Sequence, residues 1–444
     1  MKVNCLPEDP GVSGWYGILP SFPARSSLQK DQHCDCLIVG AGFTGLNAAR
    51  RLSELRQSER IVVLEANRVA EGPAGRNSGF MIDLPHVLSS KDYAGDAHND
   101  AGEIRLNRAG IEYALAAAEN FGMSAEAIAR SGKINGAITS RGVKHNDDYA
   151  KHLQALSEPY ERIDAAGMMR LTGSDSYIDG LYTPGTAMIQ PALYIQHLAG
   201  GIETNGVKIY ERSPVLSIKP SEGQWFAKTP AGSITAKQII LSVNGHLQSF
   251  GYYPQHLMHI FTYASMTRAL SAAETKAMGG EARWGLTPAD SLGTTVRRIS
   301  GTGGDRLIIR NRATYEPSMI VDSSRLGKFA QSHDRSFRDR FPKLSKVNME
   351  YCWGGKLCLS RNNVSVFGEI EENLYAACCQ NGLGTAKGTI AGKLVAELAS
   401  EQRSSLVDDL LCEAPPRRLP PSAIASVGAG VMLRFGEYRA GKEL

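Results

Sequence analysis

The sequence lacks any apolar run long enough to cross a bilayer. The longest near the tail, 423–433, falls well short of the roughly 20 residues a spanning helix needs. Its first residues, Met1-Lys2-Val3-Asn4-Cys5-Leu6-Pro7-Glu8, carry no apolar core of signal-peptide type. A strong excess of one charge is lacking as well. The 49 Lys and Arg stand against 45 Asp and Glu, a net +4, so the overall balance points to neither nucleic acid nor an anionic membrane surface. Paired cysteines at metal or dithiol spacing are also missing. Cys34-Asp35-Cys36 and Cys378-Cys379 are not CxxC, so reduced thiols are expected and no metal site. Internal repeats and long low-complexity tracts do not occur. These absences leave a soluble, cytoplasmic protein with no nucleic-acid partner and no membrane span.

What is there begins with Cys36-Leu37-Ile38-Val39-Gly40-Ala41-Gly42-Phe43-Thr44-Gly45-Leu46. A strand-type run stops at a glycine, and a helix pattern follows the turn. Gly40 permits the sharp turn, Gly42 lets bare backbone approach a pyrophosphate, and Gly45 lets the helix lie close on the strand. Phosphates at the helix N-terminus meet free N–H groups and the positive end of the dipole. A second strand, Ile61-Val62-Val63-Leu64, ends at Glu65, 20 residues beyond Gly45, where a carboxylate can accept from ribose hydroxyls.

The 444 residues, 42% of them hydrophobic, suit two to three domains. Residues 1–33 read as an irregular arm anchored by Trp15 and Tyr16. Helices are expected over 100–130 and 146–160, and another after Gln190-Pro191. Strands are expected at 207–210, 213–218 and 238–245, with a small antiparallel insertion at 224–227 and 232–236. Residues 255–350 alternate in the manner of a separate antiparallel domain. Then Leu374-Tyr375-Ala376-Ala377-Cys378-Cys379 reads as a buried strand, Gln380-Asn381-Gly382-Leu383-Gly384 as a turn, and 385–398 as a helix. The tail carries Pro415-Pro416-Arg417-Arg418-Leu419-Pro420-Pro421 and a short apolar helix. The late strand–turn–helix suggests one ligand held from both ends of the chain. The N-terminus of the 385–398 helix suits the negative charge that a reduced flavin gathers at N1 and C2=O.

These residues, with Leu64-Glu65-Ala66, Gly72-Pro73-Ala74-Gly75-Arg76-Asn77-Ser78-Gly79, Ser242-Val243-Asn244-Gly245 and Trp353-Gly354-Gly355, resemble a known family. It is the D-amino-acid oxidase/glycine oxidase superfamily of FAD-dependent oxidoreductases, nearest its γ-glutamylputrescine oxidase-like members. The resemblance implies an α/β fold: a Rossmann-type FAD-binding domain (1–90, 187–250 and 351–444) and an interleaved antiparallel-sheet substrate domain (91–186 and 251–350). It implies FAD on Gly40, Gly42, Phe43, Thr44 and Gly45, with Glu65, Ala66 and Arg68 at the adenosine end and Val215 holding the adenine through its backbone. Ala74, Gly75, Arg76, Asn77, Ser78 and Gly79 would run toward the isoalloxazine. Asn244 and Gly245 would add contacts, and Gly382, Leu383, Gly384 and Thr385 would face N1 and C2=O. Arg76 also reads as an ordinary structural arginine.

The chain departs from the family where a histidine often stands, at Leu383. Lys387 lies one position out of register with a lysine that relatives place near the flavin. The early histidine used for covalent attachment is absent and Cys352 does not align with the late cysteine, so noncovalent FAD is expected. The implied reaction is oxidation of an amine or amino acid to an imine, with hydride passing to flavin N5 and O₂ as acceptor. A dehydrogenase that serves a quinone or partner protein, and a flavoprotein without turnover, remain alternatives. Phe80, His86, Tyr263, Arg297, Arg310 and Lys387 are the catalytic and substrate candidates, an arginine being the natural partner of a substrate carboxylate.

Overall fold

The computed structural model describes residues 1–85 and 97–444. Its first sheet is built around the strand Gln32–Val39, whose apolar run is fully enclosed as a central parallel strand requires. Ile61–Leu64 pairs parallel on one side, with Lys208–Tyr210 beyond it. On the other side Ser233–Leu241 runs parallel from Gln32↔Ile234 to Val39↔Leu241. The far edge of that strand is shared. Its first half carries the antiparallel pair Gln224–Lys228 and Ser217–Ser221, and its second half pairs parallel with Leu374–Cys378. The expected separate strands 232–236 and 238–245 merge into one strand, Ser233–Leu241, that serves two neighbours, and Asn244 and Gly245 fall in the 3-10 turn after it.

The helices Phe43–Leu55, Pro191–Thr204 and Ala386–Ala399 cover this sheet through a core that includes Leu46, Ala49, Tyr194, Leu198 and Val395. Helix Ala97–Asn120 joins them. Its Gly110 faces Ala386 so closely that a Cβ would stand 2.4 Å from the Ala386 carbonyl oxygen. It ends before the expected residue 130, because Gly122 takes φ +61° and reverses the chain. The second expected helix starts earlier, at Ser140, since the Thr139 hydroxyl caps it by accepting from Gly142 N–H, and it ends at Ala155.

Among the described residues the second sheet has eight strands. It runs Met349–Ser360, Leu257–Thr267, Arg306–Tyr315, Thr295–Ile299, Trp284–Pro288, Lys133–Ala137, Asp179–Thr183 and Glu161–Asp164. It is antiparallel apart from Lys133–Ala137 on Trp284–Pro288. A division at 350/351 therefore cuts a strand: Met349–Ser360 pairs with Leu257–Thr267 along its length, which places 351–360 in this sheet. The tail helix, Ser422–Ala440, also rests here and not on the nucleotide layer, with Glu437 bridged to Arg312 at 2.7 Å. A small third sheet, Phe80–Met81 with Ala187–Ile189 and Ile128–Arg130, lies outside both. The architecture is a Rossmann-type layer interleaved in sequence with an antiparallel sheet. Among the described residues no helix is long and apolar enough to cross a membrane.

Candidate functional site

The turn after Gln32–Val39 is shaped by three glycines in three different ways. Gly40 sits at φ +103°, a conformation open to glycine, and its N–H donates to the Leu64 carbonyl at 2.8 Å. Gly45 faces Gly40 and Ser242, leaving no room for a side chain. Gly42 is extended, and a Cβ there would meet only the Ala74 methyl, at 3.7 Å. The helix Phe43–Leu55 therefore opens onto the space between these elements, with no side chain capping its first turn. Its first N–H groups are left for an anion.

That space is one elongated cavity. Gly40, Gly42, Phe43, Thr44, Glu65, Ala66, Arg68, Ala74, Asn77, Ser78, Phe80, Val215, Asn244, Gly245, Gly382, Gly384 and Thr385 all line it. At one end Glu65 accepts from Ala41 N–H at 2.8 Å and Asn67 N–H at 3.0 Å. Burial pushes its carboxyl above the usual range, and these backbone bonds pull the other way. Further along, the loop 73–79 is braced by two enclosed indoles: Trp15 Nε1 donates to the Asn77 carbonyl at 2.8 Å, and Trp353 Nε1 to the Arg76 carbonyl at 3.0 Å. Beyond the loop, helix Ala386–Ala399 begins without a side-chain cap. Beside it Gln380 Nε2 is buried with no partner among the described residues, and Gln380 lines the cavity. A path from a ribose-type carboxylate, past one uncapped helix, to a second uncapped helix and an orphan amide fits a dinucleotide.

Several expected residues lie behind the wall. Gly45, Gly75 and Gly79 serve close packing; a Cβ on Gly75 would stand 1.9 Å from the Ala70 carbonyl oxygen. Leu383 packs with Phe80 and Ile82. Arg76 turns away from the cavity and donates to the carbonyls of Glu71 at 2.5 Å and of Pro10 and Gly354 at 3.2 Å each. Its structural reading is the one this geometry matches. Arg297 is enclosed beneath the same loop, donating to the carbonyls of Gly79 at 2.8 Å and Ile189 at 2.7 Å, with Trp15 and Phe80 against its guanidinium. Tyr263 stacks on Phe329 at 3.7 Å and bonds Thr314 Oγ1. Lys387 pairs with Glu103 at 3.0 Å, and Arg310 is half-buried on Arg306–Tyr315. None of these four is among the cavity residues. Of the catalytic candidates, Phe80 lines the cavity, and His86 lies outside the described residues.

Other residues gather at the cavity instead. Val3, Cys5, Leu6, Pro7 and Asp9 of the N-terminal arm roof it, the arm being tied down by Val3 N–H to Leu216 O at 2.8 Å and Gly354 N–H to Pro10 O at 3.0 Å. Below that roof Lys356 Nζ donates to His246 Nε2 at 3.1 Å. His259 is enclosed, and its Nε2 has no partner among the described residues; neither do the two buried carboxylate oxygens of Asp9. Burial, then Lys356 and His259, pulls His246 down to about 3, and burial, then Lys356, pulls His259 down to about 4, so both rings are neutral near pH 7. Burial lowers Lys356 and raises Asp9, and each opposes the shift of the other. His246 directly follows the Asn244-Gly245 turn, and Lys356 directly follows Trp353-Gly354-Gly355. Both signals stood one residue beyond motifs legible in the sequence.

A family model described as FAD dependent oxidoreductase, DAO, matches residues 35–398. The probable oxidoreductase OrdL of Haemophilus influenzae is 24% identical over 408 residues, covering 88% of this chain and 88% of that protein. The gamma-glutamylputrescine oxidoreductase of Escherichia coli is 24% identical over 378 residues, covering 84% and 85%. In fold, glycine oxidase from Geobacillus kaustophilus matches with a TM-score of 0.68 at 16% identity, over 84% of this chain and 96% of that one.

Proposed function

The chain belongs to the DAO family of FAD-dependent oxidoreductases, and from that premise we propose that it oxidises the C–N bond of an amine or amino acid to an imine. The observation that carries this reading is the cluster of Asp9, Lys356, His246 and His259 on the wall of the same cavity that the phosphate turn opens into. Bound FAD supplies an acceptor at N5 for the hydride leaving the carbon next to nitrogen.

The protein's own groups bind and orient. The N–H groups at the start of Phe43–Leu55 hold the pyrophosphate, and Glu65 takes the ribose hydroxyls. The uncapped start of Ala386–Ala399 offers N–H groups and the positive end of its dipole to charge at the ring's pyrimidine edge. Phe80 and the strap 3–9 exclude water, which favours loss of the proton from a substrate ammonium. A neutral His259 Nε2 and the Asp9 carboxylate accept from the substrate nitrogen, and the Lys356 ammonium receives a carboxylate where the substrate carries one. O₂ is the proposed electron acceptor. Placement in the cytoplasm belongs to the same reading, and all eight cysteines, each free, suit a reducing compartment.

The test is anaerobic mixing of the yellow protein with a panel of amines and amino acids, followed by admission of air. Bleaching by a member of the panel and rapid recovery of colour support an oxidase. Bleaching with very slow recovery assigns a dehydrogenase serving a quinone or a partner protein. Colour that no amine bleaches refutes the reading.

A further inference from the structure

The tail helix Ser422–Ala440 is built inside out. Its half-buried positions, which include Ala425, Ala429, Gly430 and Gly436, are mostly small, and a Cβ on Gly436 would stand 2.2 Å from Leu292 Cδ1. Its large side chains point away from the protein: Ile424, Val427, Val431, Met432, Phe435 and Tyr438 are exposed, Val427 by 69% and Tyr438 by 83%. On a helix 424, 427, 431 and 438 share one stripe, and 432 and 435 lie beside it. Six large apolar side chains exposed together on one helix mark a docking site. The helix is held so that this face stays outward. Before it, Leu419 N–H donates to Gln255 O at 2.7 Å; after it, Glu443 accepts from Ile138 and Thr139 N–H at 2.9 and 2.8 Å.

The charges decide what covers it. Between 414 and 444 the exposed charged side chains are Arg417, Arg418, Arg434, Arg439 and Lys442. The two acids of that stretch face inward: Glu437 pairs with Arg312, and Glu443 is buried. Arg434 lies in the apolar stripe itself, and Arg439 sits over the Phe435 ring at 5.7 Å. The near balance of charge over the whole chain thus hides a C-terminal stretch whose exposed charges are of one sign. A second copy of the chain would set these cations against each other. An anionic surface would complement them, with the arginine stems reaching up past the apolar side chains. We propose that this helix docks on an anionic phospholipid bilayer, lying in the interface, since Arg434, Glu437 and Arg439 within it bar a crossing.

The experiment sediments the full-length, flavin-loaded protein with phosphatidylcholine vesicles, with and without phosphatidylglycerol, at low and high salt. Binding that requires phosphatidylglycerol and weakens with salt is expected. Replacing Arg434 and Arg439 by Gln lowers vesicle affinity about fivefold for each charge removed. Val427→Asp with Val431→Asp abolishes binding while flavin content and melting temperature stay at wild-type values, both positions being exposed. Equal binding to neutral and anionic vesicles, no binding at low salt, or variants that bind as the wild type overturn the proposal. So does a dimer that Val431→Asp disperses in the absence of any vesicle binding, which would assign the face to a second copy.

Discussion

A Cβ on Gly45 would lie 1.9 Å from the carbonyl oxygen of Gly40 and 2.5 Å from the Ser242 hydroxyl. The helix Phe43–Leu55 is thus pressed against the strand that precedes it, and nothing at that contact can yield cheaply. Gly45→Ala should destabilise the protein by at least about 1–3 kcal/mol, as overpacking does. Thermal scans will show a lower melting temperature, with flavin released in the same transition.

Glu65 already holds two backbone N–H groups, those of Ala41 and Asn67, so its carboxylate is fixed before any ligand arrives. Glu65→Gln keeps the shape but sets an amide donor against one of those N–H groups. Hydrogen bonds to charged groups are worth roughly 1.5–3 kcal/mol, so affinity for FAD should fall about 10- to 100-fold. Titrating the apoprotein with FAD measures this.

The parts of the site legible in the sequence were those written in neighbouring residues. The first strand, the glycine turn, Glu65, and the late glycines before Ala386–Ala399 each depend on a few consecutive positions. What was not legible depends on distant pairing. Lys356 and His259 face one cavity because Met349–Ser360 and Leu257–Thr267 pair antiparallel, His259↔Cys358, across about one hundred residues of chain. Asp9 reaches it because an arm with no periodicity is tied to Leu216 at one end and Gly354 at the other. Arg297 and Tyr263 read as candidate substrate contacts because charge and aromaticity on a strand say nothing about which face is outward. Both ended under the loop or in the core, where burial is met by carbonyls and a stacked ring.

The buried His259 and His333 and the half-buried His246 each add a pH dependence of definite sign to the stability. His246 is lowered to about 3, and His259 and His333 to about 4, in each case mainly by burial. With folded values below the unfolded value near 6.5, the unfolded chain binds more protons between the two. Their stabilisation is complete above about pH 6.5 and is lost progressively as pH falls toward 4 and 3. Melting temperature should decline on acidification through this window, and the decline should be shallower in His333→Gln. A flat profile from pH 7 to 4 contradicts this.

If the proposed role of Lys356 holds, its loss should separate substrates with a carboxylate from those without one. Lys356→Met should raise KM about 10-fold or more for an amino acid, from loss of a charged hydrogen bond, and leave a simple amine little changed. Steady-state kinetics on one substrate of each kind measures the difference. Equal effects on both would place Lys356 away from the substrate.

The central claim, that the cavity opened by Gly42 is the FAD site, is tested most directly by the flavin-to-protein ratio of Gly42→Leu. Gly42 is extended and its side-chain direction is open, so a leucine there fills ligand space without straining the backbone. The variant should purify colourless and melt within about 1 kcal/mol of the wild-type apoprotein, the scale of a changed helix cap. A yellow variant with the wild-type ratio of flavin to protein would contradict the account.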